Sequence, residues 1–133
     1  MPKEVIYDME NLDVIRSRLA QATDPELHWR TSPENTNFLF TDGVKLMAEM
    51  CDAFWLINTV LSWQCEDKVR NEPFQVWRLR FKDKATGDEA FLRCEDGNGR
   101  ELARQEIEYT DFPLPEGVKL FLSDGVLMLP SEY

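Results

Sequence analysis

The sequence predicts an α+β fold in which helices pack on one face of a four- to five-stranded antiparallel sheet. The first observation is the stretch at residues 41–64, TDGVKLMAEMCDAFWLINTVLSWQ, whose apolar side chains point in all directions, as in a buried central helix. The second is a change of the hydrophobic period to two from Phe74 onward, where Gly, Asn, Asp and Pro separate short alternating runs. Helices that come first and a β-meander that follows are typical of this class.

The length of 133 residues is that of one domain, and one domain is what we expect. It comprises an N-terminal helix and loop (residues 1–37), a central helical segment (38–66) and the β-meander (74–133). Asp8 is expected to cap the first helix, in which four apolar residues recur at helical spacing: Met9, Leu12, Ile15 and Leu19. Residues 23–37 predict a loop, and residues 38–40 a short apolar anchor.

Thr41 or Asp42 is the expected N-cap of the central helix. The polarity changes at Met50–Asp52, so the segment is either one helix or two consecutive helices, and the sequence leaves this open.

Three strands with alternating side chains are predicted after the central helix. The run 74–82 has a basic outer face (Arg78, Arg80 and Lys82), 90–95 follows a turn at 84–88, and 102–110 places Glu106 and Glu108 outward. Acids beside bases on this face predict cross-strand charge pairing. Two apolar strands, 118–122 and 126–129, should form a hairpin about Asp124 and Gly125.

The formal net charge is −10 and the isoelectric point about 4.5. This acidity argues against direct binding to nucleic acid or to an anionic membrane, because such binding depends on Lys and Arg. An odd number of cysteines (Cys51, Cys65 and Cys94) and an N-terminus without an apolar leader predict reduced thiols in a cytoplasmic, soluble protein.

The sequence predicts no cofactor, no metal site and no catalytic residues. The cysteines and His28 contain no close ligand pair for zinc, and the segment that begins at Asp96 lacks the glycine and the bidentate acid of a calcium loop. A single histidine leaves few ways to build a nucleophilic triad, and no phosphate-binding glycine motif is present.

Four strings resemble one known group of proteins: TDGVKLMAEM (41–50), FWLINTVLSWQ (54–64), QEIEYTDFPL (105–114) and DGVLMLPSEY (124–133). They are similar to a family of small uncharacterised proteins of bacteria, phages and plasmids, a domain of unknown function. The resemblance covers residues 38–133 and implies a cytosolic setting, with a phage or mobile-element origin. It implies no activity.

The leading functional hypothesis is a non-enzymatic binding or regulatory module that docks on a basic protein surface. Residues 95–117 hold seven acids and two bases, so their net charge is −5. Trp63 and Tyr133 are candidate aromatic anchors for such a partner.

Two alternatives remain open. A small-molecule-binding or hydrolytic enzyme would need a carboxylate-lined pocket between helix and sheet, where four residues converge: Asp42, Gln105, Asp111 and Glu132. A homodimer joined through an edge strand would use the apolar final hairpin.

Overall fold

The computed structural model describes residues 9–23, 28–30, 38–83 and 89–133. The predicted cap Asp8, most of the predicted loop at 23–37 and the turn at 84–88 lie outside these residues.

Within the described ranges the chain forms four α-helices and two 3-10 turns. The helices are α1 (Met9–Gln21), α2 (Asp42–Cys51), α3 (Phe54–Ser62) and α4 (Asp67–Arg70), and the 3-10 turns are Trp63–Cys65 and Pro130–Glu132. None of these helices is long and apolar enough to cross a membrane.

The central helical segment is two helices. Thr41 caps α2, and its hydroxyl accepts a hydrogen bond from the amide of Val44 at 3.3 Å. Asp52 ends α2 in the left-handed conformation (φ 52°), and the amide of Ala53 bonds the carbonyl of Ala48, so α3 starts in a new direction. The change of polarity near Met50 therefore marked a true helix end.

The described residues contain seven strands in one mixed sheet. They are β1 (His28–Trp29), β2 (Leu39–Thr41), β3 (Phe74–Phe81), β4 (Ala90–Glu95), β5 (Glu101–Ile107), β6 (Val118–Ser123) and β7 (Val126–Met128). Their order across the sheet is β1-β2-β7-β6-β3-β4-β5. β2 pairs with β7 in parallel, and the other neighbours are antiparallel.

The prediction of four or five antiparallel strands with all helices first was therefore only partly right. The predicted anchor at residues 38–40 overlaps strand β2 at Leu39 and Phe40, and β1 lies within the predicted loop. These strands have two or three residues, too few to show a period of two. β1 pairs with β2, and β2 pairs with β7, which is far along the chain, so no local pattern indicates that second pairing.

The core lies between the helices and the inner face of the sheet. Buried side chains of α2 and α3, such as Met47, Leu56 and Ile57, belong to one apolar cluster with Trp77 of β3 and Leu120 of β6. The opposite face of the strands, which we call the open face, carries the half-exposed and charged side chains.

A buried amide network joins the helical side to the sheet. The amides of Gln64 and Gln75 bond each other in both directions at 2.9 Å, and the indole of Trp77 donates to Gln75 Oε1 at 2.9 Å. Gln75 Nε2 also donates to the carbonyl of Val69 at 2.8 Å. Because buried amides without partners are costly, this network fixes the position of β3 under the helices.

Candidate functional sites

Glu132 holds the N-terminus of α2. Its Oε1 accepts hydrogen bonds from the Thr41 hydroxyl at 2.6 Å and the Leu129 amide at 2.9 Å, and its Oε2 accepts from the Gly43 amide at 3.2 Å. A Cβ on Gly43 would overlap this carboxylate. The C-terminal 3-10 turn is thus joined to a helix start whose dipole favours a negative charge. These contacts give Glu132 a structural role, which is to join the C-terminal turn to the start of α2.

Asp42 lies at the same helix end. Its Oδ1 accepts a hydrogen bond from the indole of Trp29 at 2.8 Å, and the ammonium of Lys45 lies 4.3 Å from the centre of that ring. Asp42 thereby ties the short strand β1 to α2, a link that the sequence did not indicate.

Tyr133 combines packing with exposure. Its ring lies 5.3 Å from that of Phe74 and 5.4 Å from that of Phe121, yet the residue is 74% exposed. The aromatic end of the chain rests on two strands of the sheet while most of its surface stays open to solvent.

Trp63 and Gln105 meet on the inner side of β5. The indole of Trp63 donates to Gln105 Oε1 at 2.8 Å. A cleft of about 200 Å³ lies near the end of β5, and the residues that line it are Trp55, Ile107, Tyr109, Thr110 and Asp111. We call this cleft the Asp111 cleft.

The structure divides the four residues that were expected to converge into two groups. Asp42 and Glu132 lie at α2 beside β2, whereas Gln105 and Asp111 lie on or just after β5. Five strand spacings separate β2 from β5, about 24 Å. A single pocket that uses all four residues does not form.

Most of the acids at residues 95–117 are paired within the protein. Glu95, Glu101, Glu106 and Glu116 each lie within ion-pair distance of an arginine or lysine, and Asp96 contacts Arg100. Glu108 and Asp111 have no such partner among the described residues. The predicted cross-strand pairing is present, and it leaves these two acids as free charges.

The ion pairs also shift pKa values. The hydrogen bond from Lys82 at 2.6 Å holds the pKa of Glu106 below its ordinary value, and the same contact raises the pKa of Lys82. The backbone amide of Asn98 is the main cause of the lowered pKa of Asp96. Arg16 lowers the pKa of Glu116 through a hydrogen bond.

The open face carries a feature that the sequence indicated only in part. Four cations occupy directly opposite positions on neighbouring strands: Lys119 of β6, Arg78 of β3, Arg93 of β4 and Arg104 of β5. We call them the basic row. The alternation in β3 predicted a basic outer face, but the register that aligns β4, β5 and β6 with it is visible only in the folded chain. Like charges in opposite positions repel, so this alignment requires compensation.

A pair of acids in opposite positions, Glu95 of β4 and Glu101 of β5, flanks the basic row. Glu95 lies within 3.5 Å of Arg78 and 3.6 Å of Arg93, and Glu101 lies within 3.2 Å of Arg93. The Nε atoms of Arg78 and Arg93 are nevertheless buried and make no hydrogen bond. The same Nε atoms are those nearest Glu95 and Glu101, so ion pairs without a well-aligned hydrogen bond hold the two guanidinium groups.

The cysteines differ in exposure. Cys51 and Cys94 are buried and Cys65 is exposed, all as free thiols. Burial raises the pKa of both Cys51 and Cys94 to about 12. Among the described residues no three His, Cys, Asp or Glu side chains form a group that could hold a metal ion, and the absence of a metal stays a prediction.

Over the residues that the structure describes, the fold and these surfaces define a small α+β protein with a mixed seven-stranded sheet and an open charged face. The chain belongs to the family of unknown function DUF6876, whose model matches residues 13–133. The match extends further towards the N-terminus than the resemblance at 38–133 and includes most of α1. No curated protein and no solved structure matches the chain.

Proposed function

We propose that the chain is a non-enzymatic binding module that docks on a basic segment of a partner protein through the Asp111 cleft. The single observation that supports this function is the composition of the cleft, which combines two aromatic side chains and an unpaired carboxylate. Tyr109 is 70% exposed, so its ring is accessible to a ligand from solvent. Asp111 is exposed beside it.

This combination suits an arginine or lysine side chain. Aromatic faces attract cations, and a carboxylate adds a charge-assisted hydrogen bond. A cleft of about 200 Å³ is large enough for one such side chain. Glu108 supplies a second free charge nearby, and the net charge of −10 would steer a basic partner towards the protein.

The roles of the other candidates follow from their contacts. The hydrogen bond between Trp63 and Gln105 joins the inner side of β5 to the 3-10 turn that follows α3. The ring of Tyr133 is exposed at a different place on the sheet. The apolar final hairpin lies inside the sheet, paired on both sides, so it offers no edge for a homodimer. A dimer would have to use the edge strands β1 or β5.

The enzyme alternative requires a pocket that is lined by several carboxylates. Asp111 is the one carboxylate among the described residues that line the cleft, whereas hydrolysis by paired carboxylates needs two at a defined separation. A cytoplasmic location and a phage or mobile-element origin are part of the proposal and fit a small regulatory protein.

The test is a titration with an acetylated hexa-arginine peptide at low salt, followed by tryptophan fluorescence, with Trp55 as the reporter in the cleft. Asp111→Asn and Tyr109→Ala should each weaken binding about tenfold. The matched control is Asp124→Asn, which also removes one negative charge but lies on the β6–β7 turn. Equal weakening by Asp111→Asn and Asp124→Asn, with no effect of Tyr109→Ala, would show that only net charge attracts the peptide and would refute the cleft.

A further inference from the structure

We propose that the open face of the sheet holds a binding site for a small anion with at least two phosphate groups. The site is centred on the basic row and on Arg80, which lies two residues beyond Arg78 on the same face of β3. It is separate from the Asp111 cleft and does not depend on the function proposed for that cleft.

The shape of the face supports this inference. A depression of about 310 Å³ is lined by Arg78, Arg80, Phe91, Glu95 and two more arginines, Arg93 and Arg104. A second depression of about 200 Å³ shares Arg78 and Arg80 and continues to Lys119. The row thus borders a continuous concave surface instead of a flat one.

The charges of this surface do not balance. Five cations (Lys119, Arg78, Arg80, Arg93 and Arg104) face three carboxylates (Glu95, Glu101 and Glu106). Glu106 is shared with Lys82, and Glu116, at the border of the second depression, is paired with Arg16. The local excess is therefore positive in a protein of net charge −10.

Two cations are available without breaking an internal ion pair. No described carboxylate lies within ion-pair distance of Arg80, and Lys119 makes a ring contact with Phe121 at 5.3 Å. Arg78 and Arg93 add two guanidinium groups at the lining of the larger depression, held in position by ion pairs with Glu95 and Glu101. Guanidinium groups bind phosphate oxygens through two parallel hydrogen bonds, which explains why arginines predominate here.

The dimensions favour a diphosphate over a single phosphate. Three strand spacings separate Lys119 from Arg104, about 14 Å. One phosphate group would contact only part of such a row, whereas two linked groups reach several cations. The depression is too small for a nucleic acid duplex, and the acidic remainder of the protein would repel a long polyanion.

The experiment is a calorimetric titration of the full chain with inorganic pyrophosphate at low salt. We expect saturable binding of one pyrophosphate per chain. Arg80→Gln should weaken it about tenfold while the urea midpoint stays unchanged, because Arg80 makes no internal ion pair. Arg18→Gln is the matched control, since Arg18 is an exposed arginine on α1 and its loss changes the net charge equally.

Lys119→Gln provides a second variant in case Arg80→Gln disturbs folding, and it should also weaken binding. ADP distinguishes the source of the diphosphate: tighter binding than pyrophosphate would identify a nucleotide, and equal binding would show that the diphosphate alone is recognised. The proposal is overturned if pyrophosphate gives no saturable heat, if Arg18→Gln weakens binding as much as Arg80→Gln, or if only a single-stranded oligonucleotide binds.

Discussion

Glu132→Ala tests how the C-terminal turn holds the sheet and the helices together. The substitution removes one carboxylate that accepts three hydrogen bonds, from Thr41, Gly43 and Leu129. Hydrogen bonds to a charged group contribute about 1.5–3 kcal/mol net. A negative charge at a helix N-terminus adds about 0.3–1 kcal/mol.

These contributions are not additive, because one partly exposed carboxylate makes all three bonds and water replaces some of them. We therefore expect the free energy of unfolding to fall by about 2–3 kcal/mol. Urea denaturation followed by circular dichroism measures it, and an unchanged dependence on urea concentration would show that the unfolded state is unaffected.

Gly43 supplies the decisive control. Gly43→Ala should destabilise the wild type, because the added Cβ would overlap the Glu132 carboxylate. In the Glu132→Ala background that obstacle is gone, and alanine is better than glycine in a helix by about 0.8–1 kcal/mol. The effect of Gly43→Ala should therefore change sign between the two backgrounds. A loss below about 0.5 kcal/mol for Glu132→Ala, or the same effect of Gly43→Ala in both, would refute the contact.

Two further predictions concern thiols and pH. At about pH 8 a disulfide reagent should modify one thiol per native chain, at the exposed Cys65, and all three in denaturant, because burial raises the pKa of Cys51 and Cys94 to about 12; rapid loss of three thiols from the native chain would contradict this burial. The pKa of Glu116 is lowered by Arg16, so its charged form adds stability above its ordinary value of 4.5, and this stability is lost as the pH falls through the folded pKa. Glu116→Gln should therefore lose less stability than the wild type between about pH 6 and about pH 3, and an identical loss in urea melts would show that the pair contributes nothing.

The sequence predicts those parts of the fold that local patterns encode. Strand β3 was visible because apolar and basic residues alternate from Trp77 to Phe81, and the end of α2 at Asp52 because the polarity changes there. Strands β1 and β2 were not visible, since two or three residues show no period, and the second partner of β2, β7, is distant in the chain.

For the candidate sites too, the sequence predicted what local patterns encode and missed what depends on distant contacts. Glu132 and Asp111 were singled out from the sequence, but their partners depend on tertiary contacts that no local pattern contains. The basic row shows this most clearly, because it requires four strands to be in one register, and a shift of one residue would turn Arg93 to the other face of the sheet.

The net charge and the local charge of this protein lead to different conclusions about its ligands. At physiological salt, interactions between exposed charges are screened beyond about 8 Å. A small anion on the open face therefore interacts mainly with the arginines that line the depression. A long polyanion extends over many such distances and meets a surface whose total charge is −10. The acidic composition thus argues against nucleic acid as a ligand, but it does not argue against a diphosphate. Raising the salt concentration should weaken pyrophosphate binding to the open face. It should also weaken the attraction of a basic peptide to the Asp111 cleft, because each site attracts its ligand through exposed charges opposite in sign to those of the ligand.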